Sequence, residues 1–167
     1  MKILHGFILA SLLLMLAPSL SGQGVSRSGP DEVILHKWKA DESFTTFMSR
    51  FEGKVVYVDV WASWCIPCRH EFEYARELKK EFANEDVIFL YINVDLNSGP
   101  WERAIEKFDL MGHHLTLTSS QRKTFQDAYG IKGYPTYLLF DRSGKLKKKD
   151  APWPSQGKSQ KAIRKLL

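Results

Sequence analysis

The chain holds two cysteines, and both lie in the run Trp64-Cys65-Ile66-Pro67-Cys68, where an apolar β-rich stretch from Val55 to Trp61 gives way to a helical pattern. A C-x-x-C pair that opens a helix places one thiol among the unpaired N–H groups of the first turn, at the positive end of the macrodipole. That setting favours thiolate over thiol. A thiolate so placed attacks disulfides, and thiol–disulfide exchange is the chemistry these residues point to.

Other uses of the pair fit less well. Structural zinc wants four ligands, whereas one C-x-x-C with a nearby His70 supplies three at most, and no second Cys or His pair stands at ligand spacing. No metal is therefore assigned. A purely structural disulfide stabilises in proportion to the loop it closes, and this loop is among the shortest that can form. Such a bond is better suited to being made and broken. From a different class, the two soft thiolates with His70 could serve as a copper-carrying module. A peroxidatic cysteine is a weaker reading, because it needs no partner two residues away.

The elements that must position the pair follow from periodicity. Phe44, Phe47, Met48 and Phe51 recur at helical spacing within Ala40 to Phe51, with Asp41, Glu42 or Ser43 to cap the start and Gly53 to close it. Lys54 to Trp61 is dense in Val and aromatic residues without clean alternation, which suits a central strand buried on both faces. Cys65 to Phe82 carries a helical face of Phe72, Ala75, Leu78, Lys79 and Phe82, and Val87 to Val94 reads as a second buried strand. A helix over Trp101 to Phe108 and a short strand over Leu115 to Thr118 follow. A further helix capped by Ser119 or Ser120 then runs to Tyr129, with Gly130 at its end. Thr136 to Phe140 is a strand, and Asp141 to Gly144 turns into Lys145 to Lys148. The tail beyond Gly157 closes as a short helix with Ile163, Leu166 and Leu167 apolar. Strands alternating with helices, then a hairpin and a helix, predict an α/β fold with a central mixed sheet flanked by helices on both faces. The cysteines fall at the C-terminal end of a central strand, where open α/β sheets carry their ligand sites.

The sequence resembles the thioredoxin superfamily, and more narrowly the exported TlpA and ResA type. The resemblance rests on Asp59, Trp61, Ala62, Trp64, Cys65, Pro67 and Cys68, on Gly133-Tyr134-Pro135-Thr136, and on the Asp141 to Lys145 turn. The long spacing from Cys68 to Pro135 predicts a strand-plus-helix insertion between the active-site βαβ unit and the cis-Pro strand, as in the TlpA type. The resemblance implies a protein-disulfide reductase that needs no cofactor. It acts on protein disulfide or thiol substrates and is recharged by a membrane electron donor. The same fold run as a disulfide oxidant or isomerase is the nearest alternative, because potentials of such pairs range widely.

Cys65, nearer solvent, is the expected nucleophile, and Cys68, deeper in the helix, the resolving thiol. Pro67 suits the first helical turn, where a missing N–H costs nothing. Asp59, in a strand read as buried, should have a raised pKa; the resemblance implies that it handles the proton of the buried thiol. Glu71 follows Cys68 by three residues on the same helix face, at the position where ResA-like proteins carry a functional glutamate. The resemblance also implies a cis Pro135, with Tyr134 offering its backbone to an extended substrate beside Trp64, Ile66 and Pro67. Trp61 and Trp64 would flank the disulfide. His70, His113 and His114 have no metal spacing and read as surface or loop residues.

Lys2 followed by an apolar run from Ile3 to Leu20, with Ser19 and Ser21 at small-residue cleavage positions, is a secretory signal pattern. Residues 1–22 are read as a signal peptide or an uncleaved anchor, 23–32 as a flexible leader and 33–167 as a thioredoxin-like domain. No cysteine follows the apolar run, which excludes a lipoprotein anchor. Export places the pair in the periplasm or another exported compartment, where disulfide chemistry persists. Membrane contact is expected only if the N-terminal segment is retained. The net charge of +5 comes partly from a lysine-rich tail. No aromatic-interleaved groove accompanies it, so it reads as a solvated face with no nucleic-acid partner.

Overall fold

The computed structural model describes residues 32–167; the expected signal peptide, and the leader up to residue 31, lie outside them. Six strands form one sheet: β1 (Val33–His36), β2 (Val55–Trp61), β3 (Val87–Asn93), β4 (Gly112–Thr116), β5 (Thr136–Phe140) and β6 (Leu146–Lys148). Five α-helices accompany them: α1 (Phe44–Met48), α2 (Ile66–Glu81), α3 (Ser98–Phe108), α4 (Ser119–Tyr129) and α5 (Ser159–Arg164). The strand order is β1-β4-β3-β2-β5-β6. β1, β4, β3 and β2 run parallel, while β5 and β6 are antiparallel to their neighbours, which makes the sheet mixed as expected.

Position in the sheet explains composition. β2 lies between β3 and β5, and all seven of its residues, VVYVDVW, are buried. A strand covered on both faces has no polar alternation to keep. Val56, Val58 and Val60 pack with Phe47 of α1 and Phe125 of α4. Val55 and Tyr57, pointing the other way by the pleat, pack with Leu78 and Phe82 beneath α2 and with Ala162 and Ile163 of α5. The sheet is thus flanked by helices on both faces. The α3–β4 unit separates β2–α2–β3 from the β5 strand, and β4 slots between β1 and β3. This is the expected insertion.

Several boundaries differ from the sequence reading for physical reasons. The first helix is one short α-helical stretch capped by the Ser43 side chain on Thr46 N, then a 3₁₀ turn over Ser49–Phe51. α3 begins at Ser98, because Pro100 lies in its first turn, where its missing N–H leaves no bond unmade. α4 is capped by Thr118, one residue before the expected serines, in a reciprocal capping box with Gln121. The fourth strand spans Gly112–Thr116 instead of Leu115 to Thr118. His113 and His114 are therefore strand residues, and His114 is fully buried, contrary to their reading as surface or loop residues. His70 is exposed. β1 had no periodic signal at all. Among the described residues no helix is long and apolar enough to cross a membrane.

Candidate active site

β2 delivers the chain at Trp61 to a short loop, Ala62-Ser63-Trp64, and α2 starts immediately beyond it. Cys65 is the N-cap of α2, with extended backbone, and its Sγ accepts a hydrogen bond from Cys68 N at 3.2 Å. Pro67 occupies the first turn, and Lys79 and Lys80 lie in the last turn, against the negative end of the dipole. Cys65 and Cys68 are joined in a disulfide. Cys68 is fully enclosed on the buried face of α2 with Glu71, Phe72, Ala75 and Leu78, whereas Cys65 retains 4% exposure. The thiol that can meet a partner is Cys65.

The rim of the disulfide is apolar and open. Trp64 and Ile66 are 62% and 64% exposed, among the most exposed large apolar side chains of the described residues. Tyr134 is half-buried, its ring edge-on to Trp64 at 5.9 Å, and its hydroxyl accepts a close hydrogen bond from Gln126 of α4. Pro135, buried, follows Tyr134 through a cis peptide bond and leads into β5. Trp61, in contrast, is fully enclosed and meets Phe72 edge-on at 5.1 Å.

Asp59 lies mid-strand in β2, level with Tyr91 of β3 and Tyr137 of β5. It lines a narrow crevice with Tyr57, Tyr91 and Ala75 of α2, on the side of the sheet that α2 covers. Neither carboxylate oxygen meets hydrogen-bond geometry with a partner, and the hydroxyl of Tyr137, level with it on β5 and near enough to act on the carboxyl, is not aligned with it either. Burial pushes its pKa up to about 8; the Tyr137 hydroxyl opposes the shift and the Glu71 charge adds to it. The surrounding tyrosines Tyr57, Tyr91 and Tyr137 are raised as well, first by burial and then by Asp59. Asp59 is thus mostly protonated at pH 7 with its carboxylate form within reach, the condition for a group that exchanges protons near neutral pH.

Glu71 is buried on the same helix face but is otherwise engaged. Its two oxygens accept from Ser155 N at 3.0 Å and Ser155 Oγ at 2.7 Å. Ser155 belongs to a 3₁₀ turn, Pro154–Gln156, that packs against α2.

Three residues of the site escaped the sequence reading. Asp95, just past β3, accepts from Ser63 N at 3.2 and 3.1 Å, and Arg69 Nε donates to Ser63 O at 2.9 Å. The signal that could have found Asp95 is a polar Asn93-x-Asp95 pair at the C-terminal end of an apolar strand, the edge where such sheets build sites. Among the described residues no group of three or more His, Cys, Asp or Glu is arranged to hold a metal ion.

A disulfide at the N-terminus of the helix that leaves a central strand, flanked by a tryptophan that meets the residue before a cis-proline, with a buried acid in that same strand, defines a thioredoxin-like redox protein. The chain belongs to the Redoxin family, whose model matches residues 17–166. The thiol-disulfide oxidoreductase ResA of Geobacillus thermodenitrificans is 31% identical over 102 residues, which cover 60% of this chain and 56% of that protein. ResA of Bacillus subtilis is 29% identical over 102 residues, covering 60% and 55%. The chain therefore spans little more than half the length of these curated relatives. Among solved structures, the thioredoxin domain of a thiol-disulfide oxidoreductase from Bacteroides vulgatus is 25% identical with a TM-score of 0.64, over 70% of this chain and 81% of that one. A thiol-disulfide oxidoreductase from Bacteroides fragilis is 26% identical with a TM-score of 0.61, over 71% and 85%.

Proposed function

We propose that the protein is an exported thiol-disulfide oxidoreductase that reduces protein disulfides through Cys65 and Cys68. In the reduced protein the Cys65 thiolate attacks one sulfur of a substrate disulfide. A Cys65–substrate bond forms as the substrate S–S bond breaks, and the first substrate thiolate leaves. Asp59, whose pKa of about 8 lets it release its own proton to solvent in a fraction of molecules at neutral pH, then takes the Cys68 proton as the carboxylate, and Cys68 attacks Cys65 Sγ. The intramolecular disulfide closes, the second substrate thiolate leaves, and two electrons have passed from the dithiol to the substrate. Trp64, Ile66, Pro67, Tyr134 and Pro135 form the surface on which an extended substrate segment lies.

The observation that carries this reading is the pairing of the disulfide at the α2 N-terminus with a buried acid beneath the same helix, whose pKa of about 8 leaves both of its protonation states accessible near neutral pH. The helix end stabilises the attacking thiolate, and the carboxylate form of the acid supplies a site for the other thiol's proton. Glu71, held by Ser155, serves here as a packing and electrostatic neighbour of Asp59. The names of the ResA relatives support the reaction class. Lys2 with the apolar Ile3 to Leu20 run supports a place on the exported side, the periplasm or its equivalent, and 33–167 as the working domain. A membrane electron donor would then return the pair to its dithiol form.

Turnover of a disulfide-linked reporter peptide with a chemical reductant tests the reading. The wild-type protein is expected to catalyse it and Cys65→Ser to lose all catalysis; turnover retained by Cys65→Ser would overturn the mechanism.

A further inference from the structure

We infer that Asp95 and Arg69 are positioning residues that clamp the chain at Ser63 and so set where Cys65 and Trp64 stand; this deepens the dithiol reading above and rests on it. The two peptide groups flanking Ser63 are held from opposite sides. The Ser63 N–H reaches both Asp95 oxygens, at 3.2 and 3.1 Å, and the Ser63 carbonyl accepts from Arg69 Nε at 2.9 Å and from its Nη2 more closely still. Both are hydrogen bonds to a charged group, the stronger kind.

The anchor behind the clamp is rigid. Asp95 is 9% exposed, its Oδ2 accepts from Asn93 Nδ2 at 3.1 Å, and its own N–H donates to Asn93 Oδ1 at 2.9 Å. Between them Val94 N donates to Trp61 O at 3.0 Å, which carries the β2–β3 ladder one step beyond the strands. Val94 O in turn accepts from Arg122 of α4 at 2.8 Å. The end of β3 is therefore tied to β2 and α4 before it reaches out to Ser63. Arg69 grips from the other side, from the first turns of the helix that Cys65 caps, and its guanidinium lies over the Phe108 ring.

The segment so held has no regular structure of its own, because Ala62, Ser63 and Trp64 belong to neither β2 nor α2. Its conformation decides two things in the next two residues. Trp64 sets its exposed ring edge-on to Tyr134, and Cys65 enters the helix as N-cap with its sulfur at the mouth. A shift of the Ser63 peptides would move the attacking sulfur and the flanking indole together. Attack on a disulfide needs close approach of the reacting sulfurs, and misplacement by about 1 Å can cost on the order of a hundredfold in rate.

The test reads Cys65 directly, in full-length protein reduced with dithiothreitol. It uses the rate of alkylation by iodoacetamide across pH and the reduction potential of the pair in glutathione buffers. Asp95→Ala is expected to slow alkylation at pH 7 by about tenfold, because Cys65 loses its fixed place at the helix end that favours its thiolate, and to shift the potential. Asp95→Asn still offers Ser63 N–H an acceptor and is expected to restore the rate to within about threefold, the residue of a weaker neutral hydrogen bond. Arg69 is exposed, so its variants test the clamp even if Asp95→Ala does not fold. Arg69→Ala is expected to slow alkylation, and Arg69→Lys, which keeps the charge but loses the planar fork, to fall with it. Wild-type rates and potential in both alanine variants would overturn the clamp. So would Asp95→Asn falling as far as Asp95→Ala, or full rescue by Arg69→Lys, since charge alone would then account for the effect. A wild-type protein with no reversible disulfide would instead overturn the dithiol reading on which the clamp rests.

Discussion

Replacing Asp59 by Asn should stabilise the fold and slow the chemistry, and the size of the first effect follows from burial. The Asp59 carboxyl is raised from 3.8 to about 8 in the folded protein. Between those pH values the native state holds a proton that the unfolded chain releases, so stability falls as pH rises through that window, by about 1.4 kcal/mol per pH unit. At pH 7 the accumulated cost is on the order of 4 kcal/mol, and Asn, neutral at every pH and close in shape, carries none of it. Urea unfolding of the oxidised protein and of Asp59→Asn at pH 5, 6, 7 and 8 measures the difference. The two proteins should differ by about 1–2 kcal/mol at pH 5, and the gap should widen with each unit up to pH 8 and then level off. Other titrating groups, His113 and His114 among them, are common to both proteins and cancel in the comparison. A gap that stays constant from pH 5 to 8 would refute the buried-acid argument. In the reductase assay the same variant should accumulate the Cys65–substrate mixed disulfide, because it lacks the carboxylate proposed to accept the Cys68 proton.

Cys68→Ser should trap substrate on Cys65 as a stable mixed disulfide visible by non-reducing electrophoresis, and absence of any adduct would count against its resolving role. Ser155→Ala removes one of the two donors to the buried Glu71 carboxylate. It should destabilise the fold by about 1–3 kcal/mol while leaving the alkylation rate of Cys65 unchanged, both checked on one preparation. Burial lowers His113 and His114 to about 4, from 6.5. The unfolded chain then binds more protons than the native state between those values. Stability from these two histidines is therefore full above pH 6.5 and is lost as pH falls toward 4. His114→Phe should flatten this acid limb in thermal unfolding measured from pH 7 to 4; an unchanged limb would show that His114 does not contribute to it.

Much of this was legible because the decisive signals are local. Two buried runs rich in Val and Ile, a C-x-x-C just past the first of them and a proline in the first turn of the helix that joins them fall within a short stretch of chain, and each constrains the others. What escaped depends on contacts between distant parts of the chain. β1 is four residues long, lies at the sheet edge and shows no useful alternation, so only its pairing with β4 makes it a strand. His113 and His114 look like loop residues until that pairing is known. His114 then stacks on Tyr91 at 4.9 Å and bonds Leu110 O through Nε2, while His113 turns to the opposite face and meets His36 Nε2 at 2.8 Å. Adjacent strand residues face opposite sides, so no common surface role could fit both.

The division of labour between the acids was also hidden, and the structure supplies a physical criterion for it. Among the described residues three acidic side chains are buried, Asp59, Glu71 and Asp95. Buried polar groups are hydrogen-bonded with few exceptions, since leaving one unpaired costs about 1–3 kcal/mol and more for a charge. Glu71 and Asp95 obey this rule. Glu71 is satisfied by the Ser155 turn, and Asp95 by Ser63 and Asn93. Asp59 breaks the rule, with both oxygens unpartnered beside tyrosines. Its cost to stability is largest where its charge would be most useful, near pH 7 and above. A side chain kept for packing would gain by losing that charge. An acid proposed to exchange the Cys68 proton must be able to change its charge near pH 7, and Asp59, with no fixed donor and a pKa of about 8, meets that condition.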